Sequence, residues 1–407
     1  MNTTPQGERV HIAVFGRRNV GKSSLVNALT GQAVSIVSAV KGTTTDPVRK
    51  AMELLPLGPV LFIDTPGLDD EGDLGSLRVQ RTHDVLNQTD IALLVVDAAT
   101  GIEACETEML DMLRAKRIPA LTVFNKSDLA PPPTTLHAPH SALRTPHSAL
   151  HAVSCVTGEG IEALKIALAH IIPDGGGARL VADLLAPRDI VVLVTPIDAA
   201  APKGRLILPQ QQVARDILDA HAIAVVTQPG ELRQALAKLT APPRMVITDS
   251  QAFAEAAAAT PPDVPLTSFS ILFARYKGDL DALTDGANAV AALRDGDRIL
   301  VAEGCTHHRQ ADDIGTVKIP RALQQKTGKA LLFDHASGIR YPPDLSQYAL
   351  IVHCGACMLN RREMRWRIAQ AQAAGVPVTN YGILLAHLQG ILPRCLSAVR
   401  QKKDNCF

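Results

Sequence analysis

Short apolar runs alternate with amphipathic stretches over the first 175 residues. Four of these runs predict buried strands, at residues 10–15, 60–63, 91–96 and 120–124. Helical periodicity between them predicts helices at residues 24–29, 77–87 and 104–114. Such alternation indicates a parallel sheet covered by helices on both faces, with ligands gathering at the carboxyl ends of its strands.

The same alternation continues in two later stretches of the chain. A Gly-rich segment, residues 173–177, predicts a flexible linker, and shorter strand and helix patterns follow it up to residue 265. Further strand patterns end near residues 302 and 352. We therefore predict an α/β fold with three domains, at residues 1–175, 176–265 and 266–407. The middle domain carries no catalytic constellation, which indicates an assembly role such as dimerisation.

The segment 16–23 matches G-x-x-x-x-G-K-[ST], the phosphate-binding loop, and stands between a predicted strand and a predicted helix. Glycines allow the backbone to wrap an anion, and the helix N-terminus adds positive dipole. Lys22 should reach the β- and γ-phosphates, and the Ser23 hydroxyl should hold Mg²⁺. The loop residues expected to contact the nucleotide are Gly16, Asn19, Val20, Gly21, Lys22, Ser23 and Ser24.

Two segments between the phosphate-binding loop and the third predicted strand are expected to contact the γ-phosphate and its Mg²⁺. Asp64 follows a predicted strand and can hold Mg²⁺ through water, and the Gly67 N–H can meet the γ-phosphate. Thr44, in a Thr-rich segment with the position of a switch, is the expected second hydroxyl ligand of Mg²⁺. Lys22, Thr44 and Gly67 are the expected catalytic residues.

Two later turns predict recognition of guanine. The Asp128 carboxylate can accept from both N1–H and the 2-amino group of guanine, a pair that adenine does not offer. Asn125 can tie this turn to the phosphate-binding loop, and the Lys126 stem can cover the base. The turn at Ser154 and Cys155 can offer a backbone N–H to guanine O6. The predicted activity is hydrolysis of GTP to GDP and phosphate.

Composition narrows the class of protein. The chain has 407 residues, 46% of them hydrophobic, and a net charge of +1, which predicts no general attraction to nucleic acid or to an anionic membrane. No apolar run reaches the roughly 18 residues that span a bilayer, and the N-terminus is polar. We therefore expect a cytoplasmic protein, with no membrane or nucleic-acid partner and with reduced thiols.

Cysteine and histidine cluster after two predicted strands near the C-terminus. The candidate ligands are Cys305, His307, His353, Cys354 and Cys357. Because parallel strands end at one sheet edge, the two groups should lie within reach of each other. Three thiolates with one or two imidazoles suit either Zn²⁺ or a 4Fe–4S cluster, and Cys-x-x-Cys alone would also suit a redox pair.

The N-terminal motifs resemble those of the translation-factor-type GTPases in the branch that contains Era and TrmE. The resemblance rests on G-R-x-N-x-G-K-S, G-T-T-x-D at 42–46, D-T-P-G, N-K-S-D and the Ser154 turn. It implies that Asn19 is associated with a bound K⁺, which supplies charge that an arginine finger gives elsewhere. Leu68 follows Gly67 where a water-orienting Gln could stand, so intrinsic hydrolysis should be slow.

Such a GTPase, followed by a small middle domain and then by C-x-H and H-C-x-x-C, resembles the HydF family of FeFe-hydrogenase maturation GTPases over its full length. The resemblance implies a 4Fe–4S cluster on Cys305, Cys354 and Cys357, with His307 or His353 as candidates for a labile fourth ligand. It implies a carrier that receives a diiron subcluster precursor from radical-SAM maturases and delivers it to apo-hydrogenase. The family commonly has glycine where this chain has Ala356.

Two other functions are compatible with parts of the sequence. A ribosome- or RNA-associated GTPase with a zinc-binding C-terminal domain would show a basic stripe, whereas dense basic residues occur only around 361–367. A dithiol oxidoreductase could use Cys354 and Cys357, although no further redox motif accompanies them.

Overall fold

The structure is a computed structural model, and it describes residues 4–31, 48–68, 75–131, 150–171, 178–197, 206–304, 313–338 and 341–400. The chain forms two compact units, Met1–Gly176 and Gly177–Phe407. Within the described ranges, no helix is both long enough and apolar enough to cross a membrane.

The first unit is built on a six-stranded sheet with the order β2-β3-β1-β4-β5-β6, in which β2 runs antiparallel to β3 and the other pairs are parallel. Its described elements are β1 (Val10–Phe15), α1 (Lys22–Thr30), β2 (Val48–Leu54), β3 (Gly58–Asp64), α2 (Gly75–Asn87), β4 (Ile91–Asp97), α3 (Ala104–Ala115), β5 (Ala120–Asn125), β6 (Leu150–Ala152) and α4 (Ile161–His170).

Both faces of this sheet are buried. Ile12 and Val14 of β1 belong to one hydrophobic core together with Leu25 of α1, whereas Ala13 and Phe15 belong to the core on the opposite face. Successive side chains of a strand point to opposite faces of the sheet. A strand that is covered on both faces therefore has a continuous run of apolar residues in its sequence. This arrangement places the carboxyl ends of β1, β3, β4 and β5 along one edge.

The second unit contains two four-stranded parallel sheets, with the orders β10-β9-β7-β8 and β12-β11-β13-β14. Its strands and helices up to residue 288 are β7 (Ile190–Val194), α5 (Leu208–Asp219), β8 (Ile223–Thr227), α6 (Leu232–Ala237), β9 (Met245–Thr248), α7 (Phe253–Ala259), β10 (Leu266–Ser268), α8 (Phe269–Lys277) and α9 (Leu280–Asn288). Those that follow are β11 (Arg298–Glu303), α10 (Ile319–Thr327), β12 (Leu332–Ser337), β13 (Leu350–His353), α11 (Arg361–Ala373), β14 (Val378–Asn380), α12 (Tyr381–Leu388) and α13 (Leu392–Ser397).

One hydrophobic core joins the two sheets of the second unit. It includes Val191 and Ile247 from the first sheet, Leu300 and Ile351 from the second, and Leu272 of α8. The helix α8 follows β10 directly and packs in this shared core. Because β10 pairs with β9, the first of these sheets includes residues beyond the predicted domain boundary at residue 265.

The predicted fold class, a phosphate-binding-loop domain with a mainly parallel sheet followed by two smaller α/β parallel-sheet domains, is confirmed. The sequence did not predict β2. This strand lies at the sheet edge and carries alternating exposed and half-buried positions, with buried Leu54 at its end, so no apolar run marks it.

Candidate nucleotide and metal sites

The phosphate-binding loop joins β1 to α1 through backbone conformations that require glycine. Gly16 has φ +146° and Gly21 has φ +94°. A Cβ on Gly16 would lie 2.3 Å from the Val95 carbonyl oxygen, and one on Gly21 would lie 2.2 Å from Asn125 Nδ2. Both distances are far below van der Waals contact, so these positions exclude any side chain.

Lys22 is the first residue of α1, and its side chain extends back to the phosphate-binding loop. Its Nζ donates to the carbonyl oxygens of Gly16 at 2.9 Å and Arg17 at 2.7 Å. The ammonium group and the N-terminus of α1 therefore bring positive charge to the same place, which is the arrangement that binds phosphate. Asn19 is exposed with φ +59°, and Ser24 is also exposed, whereas Val20 is buried.

The predicted magnesium ligands from β3 and α1 lie together. Ser23 Oγ donates to Asp64 Oδ2 at 2.6 Å, and the buried Asp64 Oδ1 has no hydrogen-bond partner among the described atoms. Burial raises the pKa of Asp64, and the Ser23 hydrogen bond and the Lys22 charge oppose that shift. A hydroxyl and a carboxylate with an orphaned oxygen fit Mg²⁺, which prefers oxygen ligands. Thr44 lies outside the described residues.

The turn after β3 is tied to the phosphate-binding loop. Leu68 N donates to Gly16 O at 3.2 Å, and Thr65 Oγ1 donates to Val14 O at 2.7 Å. Gly67 immediately precedes Leu68, so its backbone belongs to the segment that these contacts hold beside the loop.

Asn125 connects the base side of the pocket to the phosphate side. Its Nδ2 donates to Val20 O at 2.8 Å, and its Oδ1 accepts from the Cys155 N–H at 3.3 Å. The Ser154 hydroxyl accepts from the backbone N–H groups of Val156 and Thr157, which closes that turn. One buried side chain thus holds three loops in register at the carboxyl edge of the sheet.

The two remaining base-recognition residues are accessible. Asp128 is exposed, as a carboxylate that is to meet guanine must be. Lys126 has φ +65° and its Nζ lies 2.7 Å from Asp97 Oδ2, at the end of β4. This pair lowers the pKa of Asp97. Sequence reasoning missed Asp97, although its position directly after a buried strand was a usable signal.

Sequence reasoning also missed a charged clamp on the phosphate-binding loop. Arg17 Nε donates to Glu106 Oε1 at 2.6 Å, and its Nη1 lies 2.6 Å from Glu103 Oε1. Glu106 is fully buried and also accepts from the Glu103 N–H, so it caps α3 and holds Arg17 at once. Arg17 Nη2 completes the clamp with a 2.7 Å bond to Thr100 Oγ1.

Replacing Glu106 with alanine is expected to lower the free energy of unfolding of the first unit by about 3 kcal/mol. The guanidinium of Arg17 would lose its buried carboxylate, and breaking such a pair is costly, although Glu103 would still contact it. Thermal unfolding with and without GDP measures this, since a ligand raises the melting temperature of the unit that binds it.

The matched control is Glu162→Ala, because Glu162 pairs with Lys165 on α4 at 3.1 Å but is 76% exposed. Its loss should cost less than about 0.5 kcal/mol. The fluorescence of the single tryptophan, Trp366 in the second unit, should report no change for either variant. Equal shifts for the two glutamates would contradict the clamp.

In the second unit, the two ligand-bearing segments follow adjacent parallel strands. Ala302 of β11 is in register with His353 of β13. The Cys354 Sγ accepts from the N–H of Gly304 at 3.2 Å and from the N–H of Ala356 at 3.4 Å. Cys305, the next residue after Gly304, and His307 lie outside the described residues. The described ends of both segments therefore meet at one sheet edge, at Cys354.

The Cys354–Cys357 turn includes a left-handed residue. Ala356 is buried and has φ +55°, a conformation that costs a residue with a Cβ about 1 kcal/mol. A glycine in this position would adopt it freely. The alanine therefore adds local strain to the turn without removing a donor atom.

His353 is not arranged as a free ligand. It is fully buried, and because arginine can only donate, its Nε2 accepts from Arg367 Nη1 at 3.1 Å. Its Nδ1 then donates to Cys354 O at 3.0 Å. Burial, with the Arg367 charge, lowers the pKa of His353 to about 3, so the imidazole is neutral at physiological pH. Iron binding by Nε2 would require the Arg367 contact to break.

Two backbone N–H groups are directed at the Cys354 sulfur, and the thiolate is the form of cysteine that binds metal. The donor chemistry therefore fits a thiolate-bound metal or cluster. Among the residues that the structure describes, no three His, Cys, Asp or Glu side chains form a metal-holding group. Cys305 and His307 are not among those residues, so the described part holds only two of the three predicted thiolates.

Three family models match successive parts of the chain. A 50S ribosome-binding GTPase model matches residues 11–126, a hydrogen maturase F dimerization domain matches residues 180–278, and a hydrogen maturase F tetramerization domain matches residues 281–398. The first match covers the phosphate-binding loop, and the third covers both cysteine segments.

Curated relatives match the first unit. The tRNA modification GTPase MnmE of Nitrosomonas europaea is 38% identical over 162 residues, which are 40% of this chain and 34% of that protein. MnmE of Chromobacterium violaceum is 36% identical over 170 residues, 42% of this chain and 36% of that protein. The chain thus spans about a third of the length of these relatives.

A solved Era variant from Aquifex aeolicus, bound to GDP·AlF4⁻, is also similar. It is 19% identical, with coverage of 62% of this chain and 99% of that chain, and a TM-score of 0.31. Because this score is low, the fold assignment rests on the sheet order and loop geometry described above. The two maturase domains, in order behind a GTPase domain, show that the chain belongs to the hydrogen maturase F (HydF) family.

Proposed function

We propose that this chain hydrolyses GTP and carries a 4Fe–4S cluster as the scaffold of FeFe-hydrogenase maturation. Family membership carries the proposal, and the contact between Gly304 N–H and Cys354 Sγ supports it at the level of atoms. The three predicted domains would then divide the work into GTP binding, dimerisation and cluster binding.

The GTPase part of the proposal uses the first unit. Lys22 binds the β- and γ-phosphates, Ser23 and Asp64 hold Mg²⁺ together with Thr44, and Asp128 selects guanine. Leu68 is apolar and cannot orient a water, so the intrinsic rate is slow. Bound GTP and GDP would then differ mainly in how they hold the segments around Thr44 and Gly67.

K⁺ is proposed to bind beside Asn19. The Asn19 side chain is exposed, and its backbone adopts the left-handed conformation, with φ +59°, within the phosphate-binding loop. Replacing K⁺ with Na⁺ at constant ionic strength is expected to lower kcat for GTP by about tenfold or more. Na⁺ is smaller and more strongly hydrated, so it occupies a site sized for K⁺ poorly and leaves the transferring phosphate without that charge. An Asn19→Ala variant should lose the difference between the two salts. Equal rates in K⁺ and Na⁺ for the unsubstituted protein would refute the site.

The cluster part uses Cys305, Cys354 and Cys357 as thiolate ligands. Of the two predicted histidines, His307 is favoured as the fourth ligand, because His353 already bonds to Arg367 and to Cys354 O. A labile ligand in that position would leave one iron able to bind and release cargo. When bound, the cluster supplies an exchangeable iron site, and the chain supplies thiolates, backbone donors and burial.

The cargo proposed for this site is the diiron subcluster precursor. Radical-SAM maturases would load it, and apo FeFe-hydrogenase would receive it, with a homodimer as the working assembly. The dimerization and tetramerization domain matches support self-association. A GTPase switch can bias which partner is bound, since nucleotide state changes the order of its loops.

Anaerobic purification of the full chain, followed by iron, sulfide and zinc analysis, tests the proposal. We expect about four iron and four sulfide per chain and a 4Fe–4S signal in electron paramagnetic resonance after reduction. About one zinc per chain without iron would instead support the RNA-associated GTPase with a zinc domain. Transfer of a diiron precursor from the loaded protein to apo-hydrogenase, measured as hydrogenase activity, tests the carrier role.

A further inference from the structure

A fully buried lysine contacts the backbone of the cysteine turn, the segment 354–359 that carries Cys354 and Cys357. Lys277 is the last residue of α8 and is 1% exposed. Its Nζ donates to Leu359 O at 2.8 Å, and to Ala356 O and Cys357 O at 3.3 Å each. These carbonyls belong to the turn that carries Cys354 and Cys357.

The contact matches the hydrogen-bonding capacity of a lysine ammonium. Three carbonyl acceptors surround the Lys277 nitrogen, and the ammonium offers three N–H donors. Burying a charge is unfavourable unless hydrogen bonds compensate for lost water. Lys277 therefore depends on the turn for its acceptors, and the turn depends on Lys277 for the direction of its peptide groups.

The contact also crosses a boundary between two family-model matches. Lys277 lies within the segment that matches the dimerization domain, and the cysteine turn lies within the segment that matches the tetramerization domain. A second bond follows the same route, since Asn380 Nδ2 donates to Ser270 O of α8 at 3.1 Å. The helix α8, which follows the first sheet of the second unit, is thus joined to the second sheet and its cysteine turn by polar bonds as well as by the shared core.

We propose that Lys277 is a positioning residue that holds the Cys354–Cys357 turn in its metal-binding conformation and raises the reduction potential of the bound cluster. This inference rests on the cluster proposed above. Through Lys277, a displacement of α8 would alter both the geometry and the potential of the site.

The electrostatic part follows from charge. One-electron reduction adds negative charge to a thiolate-bound cluster, and net charge and hydrogen bonds near the sulfurs set the potential. An ammonium beneath the turn favours the reduced state. Removing it must make reduction less favourable, whichever neutral side chain replaces it.

The variants Lys277→Met and Lys277→Gln test this in the full-length, cluster-loaded protein. Met matches lysine in length and is apolar, and Gln retains a donor, so the two share only the loss of charge. We expect both variants to lower the equilibrium constant for one-electron reduction of the cluster about tenfold. This corresponds to a reduction potential about 59 mV lower. The control Lys329→Met removes a lysine that is 41% exposed and pairs with Asp295 before β12, and should change the constant less than twofold.

A second measurement uses the cluster-free full chain. The comparison is made at a pH high enough to ionise both thiols, so that the loss of the Lys277 charge does not change the thiolate fraction. The rates at which Cys354 and Cys357 then react with a thiol reagent, read by mass spectrometry of each cysteine peptide, should rise at least about fivefold in both Lys277 variants and stay unchanged in the control. Trp366 fluorescence shows whether each variant is folded, and either neutral variant alone is sufficient if the other fails to fold.

The outcomes separate this inference from the proposed function. If the unsubstituted protein binds no iron and sulfide, the proposed function fails, and the thiol rates still decide whether Lys277 positions the turn. If the cluster is present and both the potential and the thiol rates match those of the unsubstituted protein, the role of Lys277 is overturned. Lowered potential together with faster thiol reaction supports it.

Discussion

Replacing Lys22 with alanine is expected to lower kcat/KM for GTP by about 10³-fold or more, while the iron content of the second unit stays unchanged. Lys22 Nζ bonds to Gly16 O and Arg17 O, so its loss removes both a brace of the loop and the charge offered to the phosphates. Removing one donor aimed at developing charge costs about 10²–10³ in rate, and the loop would also loosen. Phosphate release under saturating Mg²⁺ and K⁺ measures the effect.

The control for this substitution is Lys165→Ala. Lys165 lies on α4 of the same unit and pairs with the exposed Glu162. Turnover by this variant should stay within about twofold of the unsubstituted protein, because a surface pair contributes little. Loss of iron from the Lys22 variant would contradict the independence of the two sites, and full turnover would contradict the assignment of the loop.

Replacing Cys354 with alanine is expected to abolish cluster binding while GTP hydrolysis persists within about twofold. The substitution removes one of three proposed thiolates and leaves the N–H groups of Gly304 and Ala356 without their sulfur acceptor. Iron should fall from about four per chain to well below one, since a 4Fe–4S cluster needs at least three thiolates. Iron and sulfide analysis and the spectrum of the reduced protein provide the measurement.

Cys395→Ala is the matched control for the loss of a cysteine from the same unit. Cys395 lies in α13, is fully buried, and burial raises the pKa of its thiol to about 12, so it stays protonated at physiological pH. Its variant should keep full iron. An unchanged iron content in the Cys354 variant would refute the assignment of Cys354 as a ligand. Loss of iron in the Cys395 variant alone would show that the cluster binds near Cys395 instead.

The parallel strands were predictable because they are buried on both faces. The prediction for β1 and the strand found have the same ends, Val10–Phe15, since continuous apolar residues satisfy both cores at once. The edge strand β2 was not predictable in this way. The helix α11, Arg361–Ala373, was also missed, because its sequence is rich in arginine and its buried face includes Glu363 and Arg367.

The nucleotide motifs could be located from the sequence because each one consists of a few neighbouring residues after a strand. Their mutual contacts could not. Asn125 and Val20 lie 105 positions apart, and Arg17 and Glu106 lie 89 apart. Nothing local to either member of such a pair indicates the other, and a charged residue that is to be buried looks like an exposed one until its partner is known.

By itself, the sequence determined the α/β alternation, the phosphate-binding loop and the two cysteine segments, since local residue chemistry and strand periodicity specify each of them. Only the tertiary structure decided that His353 bonds to Arg367 and that Lys277 supports the cysteine turn from α8. These choices depend on which distant groups are buried together. A buried polar group must find its partners in space, and the order of residues along the chain does not name them.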